Sequence, residues 1–342
     1  MQRLNCDINH FTSLIESINF DQLNISKYSK DYIKKNHNSI KYSSQLALQI
    51  LNIGVCKTNK TVNKLTIAEI GGGTGLISLL ASFLGFDKII YSDIYNQSCE
   101  DFKTISKHLN FQVTKVICGS IDEVFIETNG NVDLIVSRDV IEHIYDTNIF
   151  FKKSSYSFKK SVHIHNTSAN IYNIFKKKYF EKIHLTDELI GGQQIIKPSD
   201  SAVSFLKMRY DFIKEHFKEI DDNSIAKLAK ITRGKNFDDI KKDAEKFIST
   251  KIFPTENTHP TNTCDPANGN RTENLLKFEE YENFIDKNVF KIEWSYAFYD
   301  LNEANLLKLS AQKILNFLIK ISGKYAKYIA PAIILICTPK SK

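Results

Sequence analysis

The feature that most constrains this chain is a cluster of glycines, Ile67-Ala-Glu-Ile-Gly-Gly-Gly-Thr-Gly-Leu76, set between an apolar strand and an apolar helix. Gly71, Gly73 and Gly75 fall at alternate positions, a G-x-G-x-G spacing. Glycines let the backbone turn sharply and approach a ligand closely. A helix that begins directly after such a turn presents unpaired N–H groups. A dinucleotide loop requires G-x-G-x-x-G, and here that pattern fails: the sixth residue is Leu76 counting from Gly71 and Ser78 counting from Gly73. No Gly-Lys-Ser/Thr follows, which excludes a P-loop. Glu69, two residues before the first glycine, would repel a phosphate but can pair with an ammonium group. Taken alone, the cluster also fits a tight turn that binds nothing.

The flanking sequence alternates between strand and helix. Short apolar strands are expected at 65–70, 88–93, 113–118, 132–137 and 161–165, with helices at 76–83, 97–109 and 140–158 between them. Apolar strands alternating with helices predict a parallel sheet covered on both faces. The alternation stops from 171 to 270. Leu206, Tyr210, Ile213 and Phe217, then Phe237, Ile240, Ala244 and Phe247, show helical spacing with many lysines, and a Pro-, Asn- and Thr-rich loop follows at 253–270. The alternation resumes with a helix marked by Phe278, Tyr281 and Ile285, a strand at 290–298, a helix through Leu307, Ala311, Ile314 and Leu318, and a strand at 330–337. The expected division is an N-terminal helical segment at 1–65, an α/β core at 66–170 and 271–342, and a helical insertion or lid at 171–270.

Composition narrows the class. Hydrophobic residues at 42% and charged residues at 25% of 342 exclude a disordered or low-complexity protein. The net charge of +7 permits an acidic partner without requiring one. The six cysteines form no C-x-x-C pair, so reduced thiols in a cytoplasmic protein are expected. No signal peptide is expected at the N-terminus, which lacks an apolar stretch. The longest apolar run, 328–337, contains Pro331 and is too short to span a bilayer.

Three further signals follow strands. Asp93 ends the second strand, where a carboxylate can accept hydrogen bonds from ribose hydroxyls. Gly119-Ser-Ile-Asp122 follows the third strand, and Ser137-Arg-Asp-Val-Ile-Glu-His143 follows the fourth. Together with Glu69-Ile-Gly-Gly-Gly-Thr-Gly75, these segments resemble the class I S-adenosylmethionine-dependent methyltransferases. The resemblance covers about 66–170 and 271–342. It implies a Rossmann-like, seven-stranded, mostly parallel sheet with helices on both faces, the final strand entering antiparallel, plus the helical insertion. It further implies S-adenosyl-L-methionine as cofactor, held by Glu69, Gly71, Gly73, Gly75, Asp93, Ile94, Ser120, Ile121, Ser137 and Arg138.

Reactive residues should lie at the carboxyl ends of the strands. His143 is a candidate general base, or simply a helix residue near the cofactor. His163 and His165 share a strand face, and His165, nearer the tip, is expected to reach the cleft. No metal is expected: His259 and Asp265 are only scattered ligands. Asn166 and Asn170 fit a polar substrate or a capped turn equally well. Lys176, Lys177 and Lys178 read as a solvated helix face before an anion site. The expected activity is methyl transfer to a small-molecule or glycan acceptor, most simply at oxygen. The alternatives are an RNA methyltransferase, against which stands the lack of a basic stripe with interleaved aromatics, or a non-catalytic scaffold. The acceptor and the oligomeric state leave no mark in the sequence.

Overall fold

A computed structural model of the chain describes residues 4–191, 203–256, 261–302 and 304–340. It divides into two compact units. The first comprises Met1–Ile141, Asn148–Asn170 and Phe278–Lys342; the second comprises Glu142–Thr147 and Ile171–Lys277.

The first unit opens with α1 (Ile8–Glu16), α2 (Lys27–Asn36) and α3 (Ile40–Thr58). Strands and helices then alternate: β1 (Thr66–Ile70), α4 (Leu76–Phe83), β2 (Lys88–Asp93), α5 (Asn96–His108), β3 (Lys115–Cys118), α6 (Ile121–Thr128), β4 (Leu134–Arg138), α7 (Thr147–Ser157) and β5 (Val162–Thr167). The seven strands form one sheet in the order β3-β2-β1-β4-β5-β7-β6. Strands β1 to β5 pair in parallel, and β7 runs antiparallel between β5 and β6. Ile89–Asp93 of β2 and all of β5 are buried at every position, inward and outward alike, so both faces are covered. The core gathers Leu51 and Val55 of α3, Leu79 and Leu80 of α4, Phe102 and Ile105 of α5 and the inner strands.

The second unit contains α8 (Ile174–Leu189), α9 (Phe205–His216), α10 (Asp222–Ile231) and α11 (Phe237–Thr250). Its own core includes Ile213, Phe217, Ile240, Ala244 and Phe247, all positions that the helical spacing marks. Arg209 is fully buried at its centre, donating to Ala229 O at 2.8 Å and gripping the Glu188 carboxylate with both terminal nitrogens. Leaving that ion pair half-made would cost far more than the pair contributes. His259 lies outside the described residues. Asp265 closes a turn, accepting from Ala267 N at 2.8 Å and Asn268 Nδ2 at 2.9 Å.

The chain returns to the first unit through α12 (Phe278–Phe284), β6 (Phe290–Tyr296), α13 (Leu306–Ile321) and β7 (Ile333–Pro339). The apolar run near the C-terminus is therefore a sheet strand. Among the described residues no helix is long and apolar enough to cross a membrane. The helix expected over 140–158 is shorter: 141–143 form a turn, and α7 begins only at Thr147. Asp139, left-handed just before that turn (φ 52°), ties two strand tips together. Its N–H donates to Asn166 O, and its carboxylate accepts from Ser168 N–H, both at 2.9 Å.

Candidate functional site

The glycine loop leaves β1 and enters α4 by way of three left-handed residues, Gly71 (φ 64°), Gly73 (φ 54°) and Gly75 (φ 75°). Two of them are also forced sterically. A Cβ on Gly71 would lie 2.8 Å from Val140, and one on Gly75 would lie 2.2 Å from the Phe102 ring. Gly73 differs: a Cβ there would meet nothing within 4 Å. Its backbone stands at an open rim. Glu69 is buried beneath the loop, and one of its oxygens accepts both the N–H (2.8 Å) and the hydroxyl (2.5 Å) of Ser78 in the first turn of α4. A carboxylate there complements the helix N-terminus. Burial nevertheless outweighs the Ser78 bonds and the Arg138 charge and pushes its pKa up to about 7.

Asp93 ends β2 beside Gly73. One carboxylate oxygen accepts from Gly73 N–H and the other from Tyr95 N–H, each at 2.9 Å. A carboxylate has about four lone-pair sites, so one group can hold the loop and the following turn together. The next residue, Ile94, is 59% exposed. Tyr91 supports the loop from below. Its hydroxyl donates to Gly73 O at 2.6 Å, and its ring stacks on Phe102 with centroids 3.9 Å apart. Burial, then the Asp93 and Glu69 charges, raise the Tyr91 pKa and keep the phenol a donor. Sequence reading passed over Tyr91. The available signal was its position two residues before Asp93 on the same strand face.

The other expected residues divide between rim and interior. Ser120 caps α6 in a capping box, its N–H and hydroxyl both donating to Glu123 Oε2 at 2.7 Å, and Ile121 is buried in the first turn. Arg138 reaches the tip of β4, donating to Ser43 O at 3.1 Å. Ser137 points the other way into the core, where its hydroxyl meets His165 Nδ1 at 2.8 Å. His165 corrects an expectation. It was placed near a strand tip, open to the cleft, but β5 continues two residues further and the imidazole is wholly buried. The Phe150 and Phe151 rings lie edge-on to it at 6.0 and 5.5 Å. Burial, then the neighbouring His163, lowers its pKa to about 3, and burial holds His163 at about 4.

His143 belongs to the second unit, in a turn rather than the expected helix. Its Nδ1 stands 2.8 Å from Arg271 O. A carbonyl can only accept, which assigns the proton to Nδ1 and leaves Nε2 as the basic nitrogen. Nε2 is 3.9 Å from Glu273 Oε1. Glu142, His143 and Glu273 each bring one ligand-type atom within 4.8 Å of the others. Proximity alone does not make a metal centre.

In the first unit the parallel order therefore brings Gly71–Gly75, Asp93, Ile94 and Arg138 to the carboxyl edge of adjacent strands. The sequence profile of a methyltransferase domain family matches residues 68–161, from inside β1 to the residue before β5. Residues 68–161 are a methyltransferase domain. Among solved structures the chain is similar to the plantazolicin methyltransferase BpumL in complex with S-adenosylhomocysteine, at 10% identity over 98% of this chain and 97% of that one, with a TM-score of 0.42. It is also similar to the ribosomal protein L11 methylase from Lactobacillus delbrueckii subsp. bulgaricus, at 17% identity over 35% of this chain and 60% of that one, with a TM-score of 0.28. A third similarity is to magnesium protoporphyrin IX methyltransferase (ChlM) from Synechocystis PCC 6803 with bound S-adenosylmethionine, at 14% identity over 48% and 78% of the two chains, with a TM-score of 0.30. A search of curated proteins returns no match.

The rim offers what a nucleoside ligand needs: the open side of Gly73 gives backbone access, the Asp93 carboxylate holds that backbone, and Ile94 offers an apolar face. A further link went unread in the sequence. Asp101 of α5 accepts from Ser26 N–H (2.9 Å), Ser29 Oγ (2.6 Å), Gln97 Nε2 (2.9 Å) and the Ser26 hydroxyl, fastening α2 over the domain. Burial would raise the Asp101 pKa, but those hydrogen bonds outweigh it and lower it.

Proposed function

We propose that this methyltransferase transfers its methyl group to an oxygen of a small-molecule or glycan acceptor, and that Gly71, Gly73, Gly75, Asp93, Ile94 and Arg138 hold the donor. The observation that carries the reading is the pairing of Gly73 with Asp93: a backbone left open on one side and clamped by a carboxylate at the tip of the next strand, where ribose hydroxyls are read. Ile94 covers the adenine face. Glu69 sets the loop through Ser78, and its proximity to the Arg138 charge tunes it. Ser120, Ile121, Ser137 and His165 serve helix capping and core packing. S-adenosylmethionine supplies an electrophilic methyl sulfonium; the chain's residues supply orientation and exclusion of water.

We assign the proton-accepting role to His143 in preference to His165. His143 is part-exposed with its tautomer fixed by Arg271 O, whereas the buried His165 stays neutral and enclosed. The segment 171–270 is proposed to act as an insertion that confers acceptor specificity on a core of 66–170 and 271–342. The cysteines, all free, are consistent with a cytoplasmic protein.

Calorimetry with S-adenosylhomocysteine tests the reading. The full chain is expected to bind it, and Asp93→Asn is expected to weaken binding by roughly 10- to 150-fold, the value of a hydrogen bond to a charged group. No binding by the native chain rejects the reading; unchanged affinity in the variant rejects the role of Asp93.

A further inference from the structure

The first unit contains a cavity of about 60 Å³ bounded by α1, α2, α3, α4 and α5. One side is hydrocarbon: Ile15, Ile33, Leu79 and Ile105 line it. Thr74 of the glycine loop and Arg138 at the tip of β4 line it as well, so the cavity reaches the two elements proposed to hold the donor. Glu16, Asn36, His37 and Ser43 also line it and can hold water on the polar side, whereas the hydrocarbon side offers a water none of the two to four polar partners it needs. Filling that side with carbon is favourable in proportion to the area it covers.

The walls are also built to stay in place. Asp101 fastens α2 by three hydrogen bonds, and Leu79 and Ile105 are 3% and 2% exposed. A cavity with a fixed apolar side and a few convergent polar groups is the usual form of a small-molecule site.

We propose that this cavity takes the hydrocarbon part of the methyl acceptor, and that the acceptor is therefore amphipathic: a short alkyl or prenyl-like group seated against Ile15, Ile33, Leu79 and Ile105, with its polar end toward Thr74 and Arg138. This rests on the donor-binding role of the glycine loop proposed above. It adds what that role leaves open, the chemical class of the acceptor.

A homologous series of linear alcohols, 1-butanol to 1-octanol, tests it by saturation-transfer NMR titration of the full chain. Binding is expected to saturate, and affinity to rise about fourfold per added methylene until the cavity is filled. Leu79→Phe and Ile33→Phe, which fill the cavity from two different helices, α4 and α2, are expected to reduce 1-hexanol affinity at least tenfold while S-adenosylhomocysteine affinity stays within twofold. If Leu79→Phe does not fold, Ile33→Phe decides. Unsaturable binding, or equal 1-hexanol affinity in a folded filled variant, overturns the proposal. Mutual exclusion of 1-hexanol and S-adenosylhomocysteine also overturns it, because the cavity would then belong to the donor. Failure of S-adenosylhomocysteine to bind while 1-hexanol still saturates rejects the donor role of the glycine loop and leaves the cavity as a hydrocarbon site.

Discussion

At the tips of β1 and β2, Gly73 has open space where a side chain would stand and Ile94 is 59% exposed. Toward the same edge of the same sheet, Ser137 of β4 and His165 of β5 are buried, the imidazole edge-on to the Phe150 and Phe151 rings. Both places are candidates under the rule that function gathers at the carboxyl ends of parallel strands. They differ because β1 stops where glycine carries the chain out of the sheet, whereas β5 runs past His165 to Thr167 and draws it into the core. Nearness to a strand end in sequence is therefore a poorer guide than whether the backbone has left the ladder.

The largest effect expected from testing this contrast lies inside the glycine loop. Gly75→Val places a branched side chain at φ 75° and against Phe102, 2.2 Å from the nearest Cβ position. It should cost the first unit about 4 kcal/mol or more, seen as a collapse of the melting transition. Gly73→Ala meets no neighbour within 4 Å and should cost only about 1–2 kcal/mol, the penalty of a left-handed alanine. S-adenosylhomocysteine affinity should nonetheless fall at least tenfold in Gly73→Ala. Equal stability losses in the two variants would break the distinction between wall and rim.

A smaller effect should appear with pH. His163 and His165 are held near pKa 4 and 3, below the ordinary value of 6.5. Below pH 6.5 the unfolded chain therefore takes up protons that the folded chain refuses, and each imidazole removes up to about 1.4 kcal/mol of stability per pH unit. Glu69 works oppositely. Its folded pKa of about 7 exceeds its ordinary 4.5, so its contribution is fully present below 4.5 and is lost as pH rises through 7. Two losses against one gain leave a net fall in melting temperature from pH 6.5 to 4.5. A flat or rising profile would show that the imidazoles are not enclosed.

The smallest effect separates packing from binding. A double-mutant cycle of Ser137→Ala and His165→Leu should report a coupling of about 1 kcal/mol in stability, from the 2.8 Å contact between them. S-adenosylhomocysteine affinity should change less than twofold in each single variant. A tenfold loss in either would place β4 and β5 back in the binding site.

Periodicity and punctuation alone determined much of this protein. The alternation of apolar strands and helices, the glycine spacing and the acid at the end of β2 pointed to the sheet and the donor, because each is a local demand of backbone geometry that the residue type itself must meet. Other features were settled only by tertiary structure. Asp101 meets Ser26 and Ser29 across 75 and 72 residues, Tyr91 and Phe102 stack beneath the glycine loop, and His165 is enclosed by rings from another element. Such contacts depend on which surfaces the folded sheet brings together, and a linear pattern holds no record of distances between segments that meet only after folding.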